Sequence, residues 1–152
     1  MSREILFKAK RKEWRELPKE EWWVEGYYLR INPDDVVFVP FNASRGTKWG
    51  WIQIDPKTLC QYTGLTDKNE KKIWENDILK GFEYPYFADG DYNYFALVEW
   101  VDKWKYFCLV TVKNPNSSVR GISEGNTELF EKFDGNEWEV IGNVFDNPEL
   151  LE

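Results

Sequence analysis

Residues 60–80 read CQYTGLTDKNEKKIWENDILK, and this stretch decides how the chain folds. A polar segment, Thr66–Lys72, lies between two apolar segments, Tyr62–Leu65 and Ile73–Leu79. That pattern is typical of a turn that joins two packed strands. We therefore expect a joint here, with an N-terminal β-rich subdomain over residues 1–72 and a second β unit over residues 73–152.

Short segments with strand-like alternation, separated by turn residues, continue on both sides of this joint. The predicted strands are Glu4–Lys10, Trp22–Ile31, Val36–Val39, Trp49–Ile54, Asp77–Phe82, Phe95–Val101, Tyr106–Val112 and Trp138–Val144. Asp102–Lys105 has the length of a hairpin connection. A helical period is nowhere sustained beyond about two turns, although Pro148–Glu152 is compatible with one terminal turn. The fold class predicted is mainly β, at most a β-rich α+β protein, with a small barrel or sandwich.

Aromatic residues must supply most of the buried apolar surface. They make up 18% of the 152 residues, with 9 Trp, 8 Tyr and 10 Phe beside 31% charged residues. A chain of this length buries roughly two-thirds of its surface and needs no covalent staples. The two cysteines, Cys60 and Cys108, match no metal-binding spacing, so we expect two buried free thiols.

The charge is acidic overall and unevenly distributed. The formal net charge is -7, which disfavours binding to the nucleic acid backbone, since Lys and Arg drive that interaction. Residues 1–20 carry a net charge of +3, and residues 124–152 carry -8. Opposite ends suggest a contact within or between chains, although solvated faces also explain them. We expect the basic run Lys8–Lys12 to be a solvated strand end.

The sequence contains no long apolar segment of about 18 residues and no leader pattern, so we expect a cytosolic protein without membrane contact. It also contains no histidine, which excludes Ser-His-Asp and Cys-His nucleophilic sites and His-ligated metals. Asp89–Asn93 begins like a calcium loop, but Tyr94 and Trp100 occupy the positions that need Gly and Glu. We predict no enzyme activity, no catalytic residue, no metal site and no cofactor.

Six residues are candidates for partner binding: Arg11, Arg15, Trp49, Trp51, Glu131 and Glu137. The arginines belong to the basic start and the glutamates to the acidic end. Trp49 and Trp51 point to the same side of one strand, so they are buried together or exposed together. Burial in the core is the expectation for both rings.

Five residues around the joint have side chains or backbones suited to turns and braces: Gln61, Tyr62, Thr63, Gly64 and Asp77. Gly64 permits a tight turn, and the Thr63 hydroxyl can bond to nearby backbone. The Asp77 carboxylate can accept backbone N–H groups across a turn. We expect structural roles for all five.

The residues of the joint resemble the YopX family of small phage and prophage proteins. The matching blocks are Gln61–Leu65, Asp67–Asn69, Ile73–Ile78, Val140–Val144 and Asn147–Leu151, and Arg3–Phe7 is similar to the family's first strand. The resemblance implies a second half similar to an SH3-type barrel, structural roles for Gly142 and Asn143, and a tendency to oligomerise. It also implies a location in the bacterial host cytoplasm, and no established activity or cofactor.

Two positions depart from the family pattern, because Glu70 and Asn76 stand where relatives usually have glycine. Asn tolerates left-handed backbone, which keeps the turn at Asn76 plausible. Glu70 predicts either that Asn69 alone takes a positive φ or that the turn is longer than in relatives.

These observations lead to a non-enzymatic phage or prophage accessory protein that acts by protein–protein contact, with a second copy of itself as one partner. A nucleic-acid-binding module that uses Arg11, Arg15 and exposed aromatic rings is the alternative. A weaker third hypothesis is an acidic decoy of a host protein's DNA site, which rests on the charge of residues 124–152 alone.

Overall fold

The computed structural model describes residues 5–30, 36–40, 52–82, 93–103, 105–113, 127–129 and 138–152. Within these ranges the regular elements are strands and short 3-10 helices. The strands are β1 (Phe7–Lys10), β2 (Trp23–Arg30), β3 (Val36–Pro40), β4 (Ile52–Gln53), β5 (Cys60–Thr66), β6 (Lys72–Trp74), β7 (Asp77–Phe82), β8 (Asn93–Val101), β9 (Tyr106–Lys113), β10 (Thr127–Leu129) and β11 (Trp138–Asn143). The prediction of a mainly β fold is confirmed.

The 3-10 helices are single turns at Trp14–Glu16, Lys19–Glu21, Pro56–Thr58 and Pro148–Leu151. The last of these is the terminal turn that the sequence predicts. None of the described helices has the length and apolarity that crossing a membrane requires.

The chain divides into two compact units, Met1–Tyr62 and Thr63–Glu152. The division falls ten residues before the predicted boundary at residue 72, within β5. The physical reason is that Ile73, on β6, packs in the hydrophobic core of the second unit. The polar turn between β5 and β6 therefore belongs to the second unit and does not separate the two.

In the first unit the strands lie in the order β4-β3-β2-β1-β5, with antiparallel pairing throughout. β1 and β2 pair with Ala9 opposite Val24. These two side chains and Ile54 form a small buried core. Because side chains alternate across a strand, Lys8 and Lys10 lie on the other face of β1.

In the second unit the order is β10-β9-β8-β7-β11, again antiparallel. The β8–β9 hairpin lies where the sequence predicts it, and its register places Trp100 opposite Phe107. Residues from four strands and the β6 segment form the core: Ile73, Leu79, Ala96, Val98, Phe107, Leu109, Trp138 and Val140. Cys60 and Cys108 are buried and free, as predicted.

The backbone corrects two details of the predicted joint. Glu70 itself has a positive φ of 62°, and Asn69 is not among the residues with positive φ. Gly64 has a φ of 88° but lies inside β5. The glycine therefore allows an irregular backbone within a strand, and it does not form the predicted tight turn. Asn76, with a φ of 69°, occupies the turn between β6 and β7, as the sequence predicts.

Candidate functional site

The face of β1 and β2 that points away from the first unit's core combines lysine and tryptophan. Lys8 lies opposite Glu25 and Lys10 opposite Trp23 in the antiparallel register. The two 3-10 turns that follow β1 bring further indoles and cations to this face. We call it the cation–tryptophan face and define it by Lys8, Lys10, Trp14, Arg15, Lys19, Trp22 and Trp23.

Lys10 is the centre of this face and has no exposed surface. Its Nζ lies 3.7 Å from the ring centroid of Trp14, 4.4 Å from that of Trp22 and 5.5 Å from that of Trp23. An ammonium over an indole is attracted by the negative face of the ring, most strongly when both are desolvated. The prediction that the whole basic run is a solvated strand end is wrong for Lys10, because the indoles replace water around its charge.

Backbone hydrogen bonds hold Lys10 in this position. Its N–H donates to Thr58 Oγ1 over 2.8 Å, and its carbonyl accepts from the Asp55 N–H over 2.8 Å. The Asp55 carboxylate in turn caps the 3-10 turn at Pro56–Thr58 by accepting from the Lys57 N–H. The lysine side chain therefore starts from a fixed point on the strand.

Hydrogen bonds at the ends of the 3-10 turns place Trp14 and Trp22 around Lys10. The backbone N–H of Trp14 donates to the Arg11 carbonyl, and the backbone N–H of Arg11 donates to the Trp22 carbonyl. The Trp22 indole N–H donates to the Leu17 carbonyl over 2.8 Å. The two rings meet edge to face, with centroids 4.8 Å apart, which is a favoured aromatic geometry.

A second set of cations lies on the same rings. Arg15 stacks over Trp14 at 4.3 Å, Lys8 lies over Trp23 at 4.7 Å, and Lys19 lies over Trp22 at 5.8 Å. Arg15 and Lys19 are exposed and Lys8 is half-buried. Each of these indoles therefore carries a cation besides Lys10, and the side chains of those cations are held near fixed positions.

Of the predicted partner-binding residues, the structure places Arg15 on this face, over Trp14. Arg11 pairs with Ile54, so strand alternation puts its side chain on the same side of β1 as Ala9. Trp49, Trp51, Glu131 and Glu137 lie outside the described residues. Sequence reasoning missed Tyr27, which is 58% exposed and shares its side of β2 with Trp23 by strand alternation. The period-two pattern of β2 is the signal that could have placed Tyr27 beside the lysines.

Asp67 is a buried carboxylate of the second unit, and its hydrogen bonds give it a bracing role. It is 5% exposed. Oδ1 accepts from the N–H groups of Asn69 and Lys71 over 2.8 and 2.9 Å, and Oδ2 accepts from Val140 over 2.9 Å. The adjacent Lys68 N–H donates to the Trp138 carbonyl. The β5–β6 turn is thus bonded to the backbone of β11.

The pKa of Asp67 reflects these contacts. Burial alone would raise the pKa of this carboxyl, but the N–H donors of Val140, Lys71 and Asn69, with the charge of Lys71, hold it below its ordinary value of 3.8. Asp67 is therefore ionised at neutral pH. A carboxylate with its oxygens saturated by backbone donors is a poor general base.

The predicted brace at Asp77 has the same character. Asp77 is 2% exposed, and its Oδ2 accepts from the Trp74 N–H over 2.8 Å, across the turn between β6 and β7. Thr63 Oγ1 donates to the Ile73 carbonyl over 2.8 Å and accepts from the Leu65 N–H. These side chains tie β5, β6 and β7 together.

Gln61 and Tyr62 lie on the part of β5 that pairs with β1. Gln61 is opposite Phe7, and the Tyr62 N–H donates to the Leu6 carbonyl over 2.9 Å. Tyr62 is 7% exposed. Both positions are built into the strand pairing of the first unit.

Gly142 and Asn143 close the end of β11. The Asn143 amide oxygen accepts from the N–H groups of Phe145 and Asp146 over 3.0 Å each. A Cβ at Gly142 would clash with the side chain of Asn147. The end of the chain needs glycine here because the Asn147 amide packs directly against it.

Neither metal nor thiol chemistry is supported by the described residues. No group of three or more Cys, Asp or Glu side chains among them is arranged to hold a metal ion. Burial and the nearby charge of Glu99 raise the pKa of the Cys108 thiol above its ordinary value of 9.0. A raised pKa disfavours the reactive thiolate form of Cys108 at neutral pH.

The fold and these contacts define a class: a mainly β protein of two units whose buried carboxylates brace turns. The model of the YopX protein family matches residues 12–152, which is nearly the whole chain. The chain belongs to the YopX family, and the resemblance read from its sequence is confirmed.

A solved structure shares this fold. The crystal structure of protein EF1440 from Enterococcus faecalis superposes with a TM-score of 0.52 and 22% sequence identity, covering 99% of this chain and 100% of that chain. Among curated proteins, EGF-like repeat and discoidin I-like domain-containing protein 3 of Mus musculus and of Homo sapiens are each 24% identical over 116 residues. That match covers 75% of this chain, which spans only 21% of the length of those relatives.

Proposed function

We propose that this protein is a non-enzymatic accessory protein of a phage or prophage that acts in the bacterial cytoplasm by contact with other proteins, a second copy of itself included. The observation that carries the proposal is the cation–tryptophan face together with the exposed ring of Tyr27. Trp, Tyr and Arg are the residues most enriched at the energetic centres of protein interfaces.

The arrangement of this face favours binding in physical terms. Tyr27 continues the row that Trp23 and Glu25 begin on β2, and it is 58% exposed. Lys8, Arg15 and Lys19 are held over indole rings. Ordering long side chains before the partner arrives lowers the entropy cost of association.

The same geometry argues against the alternative of a nucleic-acid-binding module. Bases stack on free aromatic faces, whereas each of the three indoles here has cations over its ring. Four exposed glutamates also lie among the basic residues of this part of the chain: Glu13, Glu16, Glu20 and Glu21. A polyphosphate backbone would meet alternating attraction and repulsion.

The non-enzymatic part of the proposal is supported by the environment of the buried acids. Asp67 and Asp77 both accept hydrogen bonds from backbone N–H groups and serve strand connections. With no histidine in the sequence, a proton-transfer site would need carboxylates with raised pKa values, and that of Asp67 is lowered.

We further propose that the second unit is a small barrel of the SH3 type. The bonds from Lys68 to Trp138 and from Val140 to Asp67 attach the β5–β6 turn to the outer edge of β11. Such an attachment favours closure, since it satisfies backbone groups at what is otherwise the end of the sheet.

The test is capture of a partner from host-cell lysate on the immobilised protein, compared with the variant Tyr27→Ser. We expect Tyr27→Ser to remove most of the captured material without loss of fold, because the ring is exposed and contributes little to the core. Circular dichroism checks that the variant is folded.

Tyr106→Ser is the matched control, since Tyr106 is 54% exposed and lies on β9 in the other unit. Capture by Tyr106→Ser should equal that of the unmodified protein. Equal capture by all three proteins would contradict the assignment of the contact to the cation–tryptophan face.

A further inference from the structure

Arg15 is a cation that is positioned but unused within the described residues. Its guanidinium lies 4.3 Å from the ring of Trp14, and the residue is exposed. Its side chain forms no hydrogen bond or ion pair with any described residue, although Glu13 and Glu16 are close in sequence. The five N–H donors of a guanidinium are thus available to an external acceptor.

The turn that carries Arg15 has one more donor without an acceptor. Trp14 Nε1, on the ring that Arg15 contacts, is buried and finds no hydrogen-bond partner among the described parts of the chain. By contrast, the Trp22 indole N–H is satisfied by the Leu17 carbonyl. Buried donors are nearly always paired, and an unpaired one destabilises the fold. This turn therefore has an excess of N–H donors over acceptors.

A planar oxyanion is the ligand that matches these donors. The contact with Trp14 restrains the Arg15 guanidinium, whose carbon lies 4.3 Å from the ring centroid, and its N–H groups form a planar fork. A carboxylate accepts two parallel N–H bonds from such a fork. Lys10, whose Nζ lies over the same indole, adds positive charge close to the site.

The surroundings favour a single carboxylate over a chain of phosphates. Glu13, Glu16 and Glu20 are exposed and lie within five residues of Arg15 in the sequence, and the whole chain carries a net charge of -7. A polyanion carries several negative charges and is repelled by this surplus more strongly than a single carboxylate is.

We propose that the turn from Arg11 to Arg15 binds an Asp or Glu side chain of a protein partner, with Arg15 as the bidentate donor. The inference rests on the proposed function and deepens it, because it names the chemical group on the partner that this face recognises. Trp14 positions Arg15, and the unpaired indole N–H of Trp14 strengthens the attraction for a carboxylate.

The experiment is a titration followed by nitrogen–proton NMR of the indole and guanidinium N–H signals of the intact protein. The probe is the blocked peptide N-acetyl-Gly-Glu-Gly-amide, and the matched peptide carries Gln in place of Glu. At a constant chloride concentration, we expect the Glu peptide to shift the Arg15 Nε–H and Trp14 Nε1–H signals until the shift reaches a plateau. The Gln peptide should not shift these signals. The Trp22 indole signal is the internal control and should stay in place.

Variants separate a bidentate site from general attraction. Arg15→Lys keeps the charge but loses the fork, so we expect about tenfold weaker binding of the Glu peptide. Lys12→Ala removes an exposed cation from the same turn and should change the affinity less than about twofold. Equal weakening by both variants would overturn the proposal, since it would indicate diffuse attraction.

Two other outcomes also overturn it. The first is a Gln peptide that shifts the same signals as strongly as the Glu peptide. The second is a single-stranded oligonucleotide that saturates them at a lower nucleotide concentration than the peptide needs, which would favour nucleic acid. If the Glu peptide does not bind but Tyr27→Ser still reduces the capture of a partner, only the carboxylate site is rejected.

If the Glu peptide binds but Tyr27→Ser does not change the capture of a partner, the proposed contact through the cation–tryptophan face is rejected.

Discussion

Among the described carboxylates, Asp67 is the one whose removal we expect to lower the stability most. In Asp67→Ala the N–H groups of Asn69, Lys71 and Val140 lose their acceptor. We predict a loss of about 2–4 kcal/mol in the free energy of unfolding, measured by urea denaturation at pH 7. Asp102→Asn is the control, because that carboxylate is exposed and its loss should cost less than about 0.5 kcal/mol.

The same residue predicts a pH dependence. The folded-state pKa of Asp67 lies below its ordinary value of 3.8, so the unfolded chain binds the proton more readily. Its stabilising contribution is therefore complete above that ordinary value and is lost as the pH falls through the folded pKa. The stability difference between the unmodified protein and Asp67→Asn should be constant near neutral pH and shrink as the pH falls through 3.8 toward the lower, folded-state pKa. A constant difference would contradict this account.

Single residues also show where the sequence misleads. Asp77 sits beside a turn and was predictable as a brace, because its partner, Trp74, is three residues away. Asp67 and Lys10 depend on partners that only tertiary folding supplies: Val140 lies 73 residues from Asp67, and three separate indoles surround Lys10. Local patterns contain no signal for such contacts.

Among the elements, the pairing of β7 with β11 brings a glycine directly against a buried indole. Gly81 lies opposite Trp138, and a Cβ on Gly81 would come within 2.8 Å of the indole. We expect Gly81→Ala to lower the free energy of unfolding by about 1–3 kcal/mol, since the 6% exposed indole has to move within the core.

Thermal or urea unfolding followed by circular dichroism measures this effect. Lys80→Ala, on the neighbouring position of β7, should stay within about 0.5 kcal/mol of the unmodified protein. An unchanged stability of Gly81→Ala would mean that β7 and β11 can separate at no cost, contrary to the tight pairing in this structure.

Strands with strict alternation and polar flanks are the elements that the sequence predicts well. β8 and β9 begin and end within two residues of the prediction, because Asp102–Lys105 gives a clear hairpin signal. The short β10 at Thr127–Leu129 went unpredicted, since three residues carry no readable period.

At the scale of the whole molecule, the fold class and family were readable from the sequence, whereas the cation–tryptophan face was not. The family blocks are local runs of residues with fixed spacing. The cation–tryptophan face, however, assembles from β1, β2 and two 3-10 turns whose rings look like ordinary core aromatics in the sequence. A cation's position over a ring depends on the tertiary arrangement of both groups.

The distribution of charge leads to the last prediction, which concerns self-association. Residues 1–20 carry +3 and residues 124–152 carry -8, so two copies attract through opposite ends while the net charge of -7 repels them. Attraction between local patches prevails only at short range and weakens as the Debye length falls from about 30 Å at 0.01 M salt to about 3 Å at 1 M. Light scattering coupled to size exclusion should therefore find association at low salt and a monomer at high salt.

Glu131→Gln with Glu137→Gln should weaken the low-salt association, whereas Glu70→Gln with Asp102→Asn, which removes the same charge outside the acidic end, should not. A monomer at both salt concentrations would contradict self-association, and equal weakening by the two double variants would assign it to net charge instead of to the acidic end.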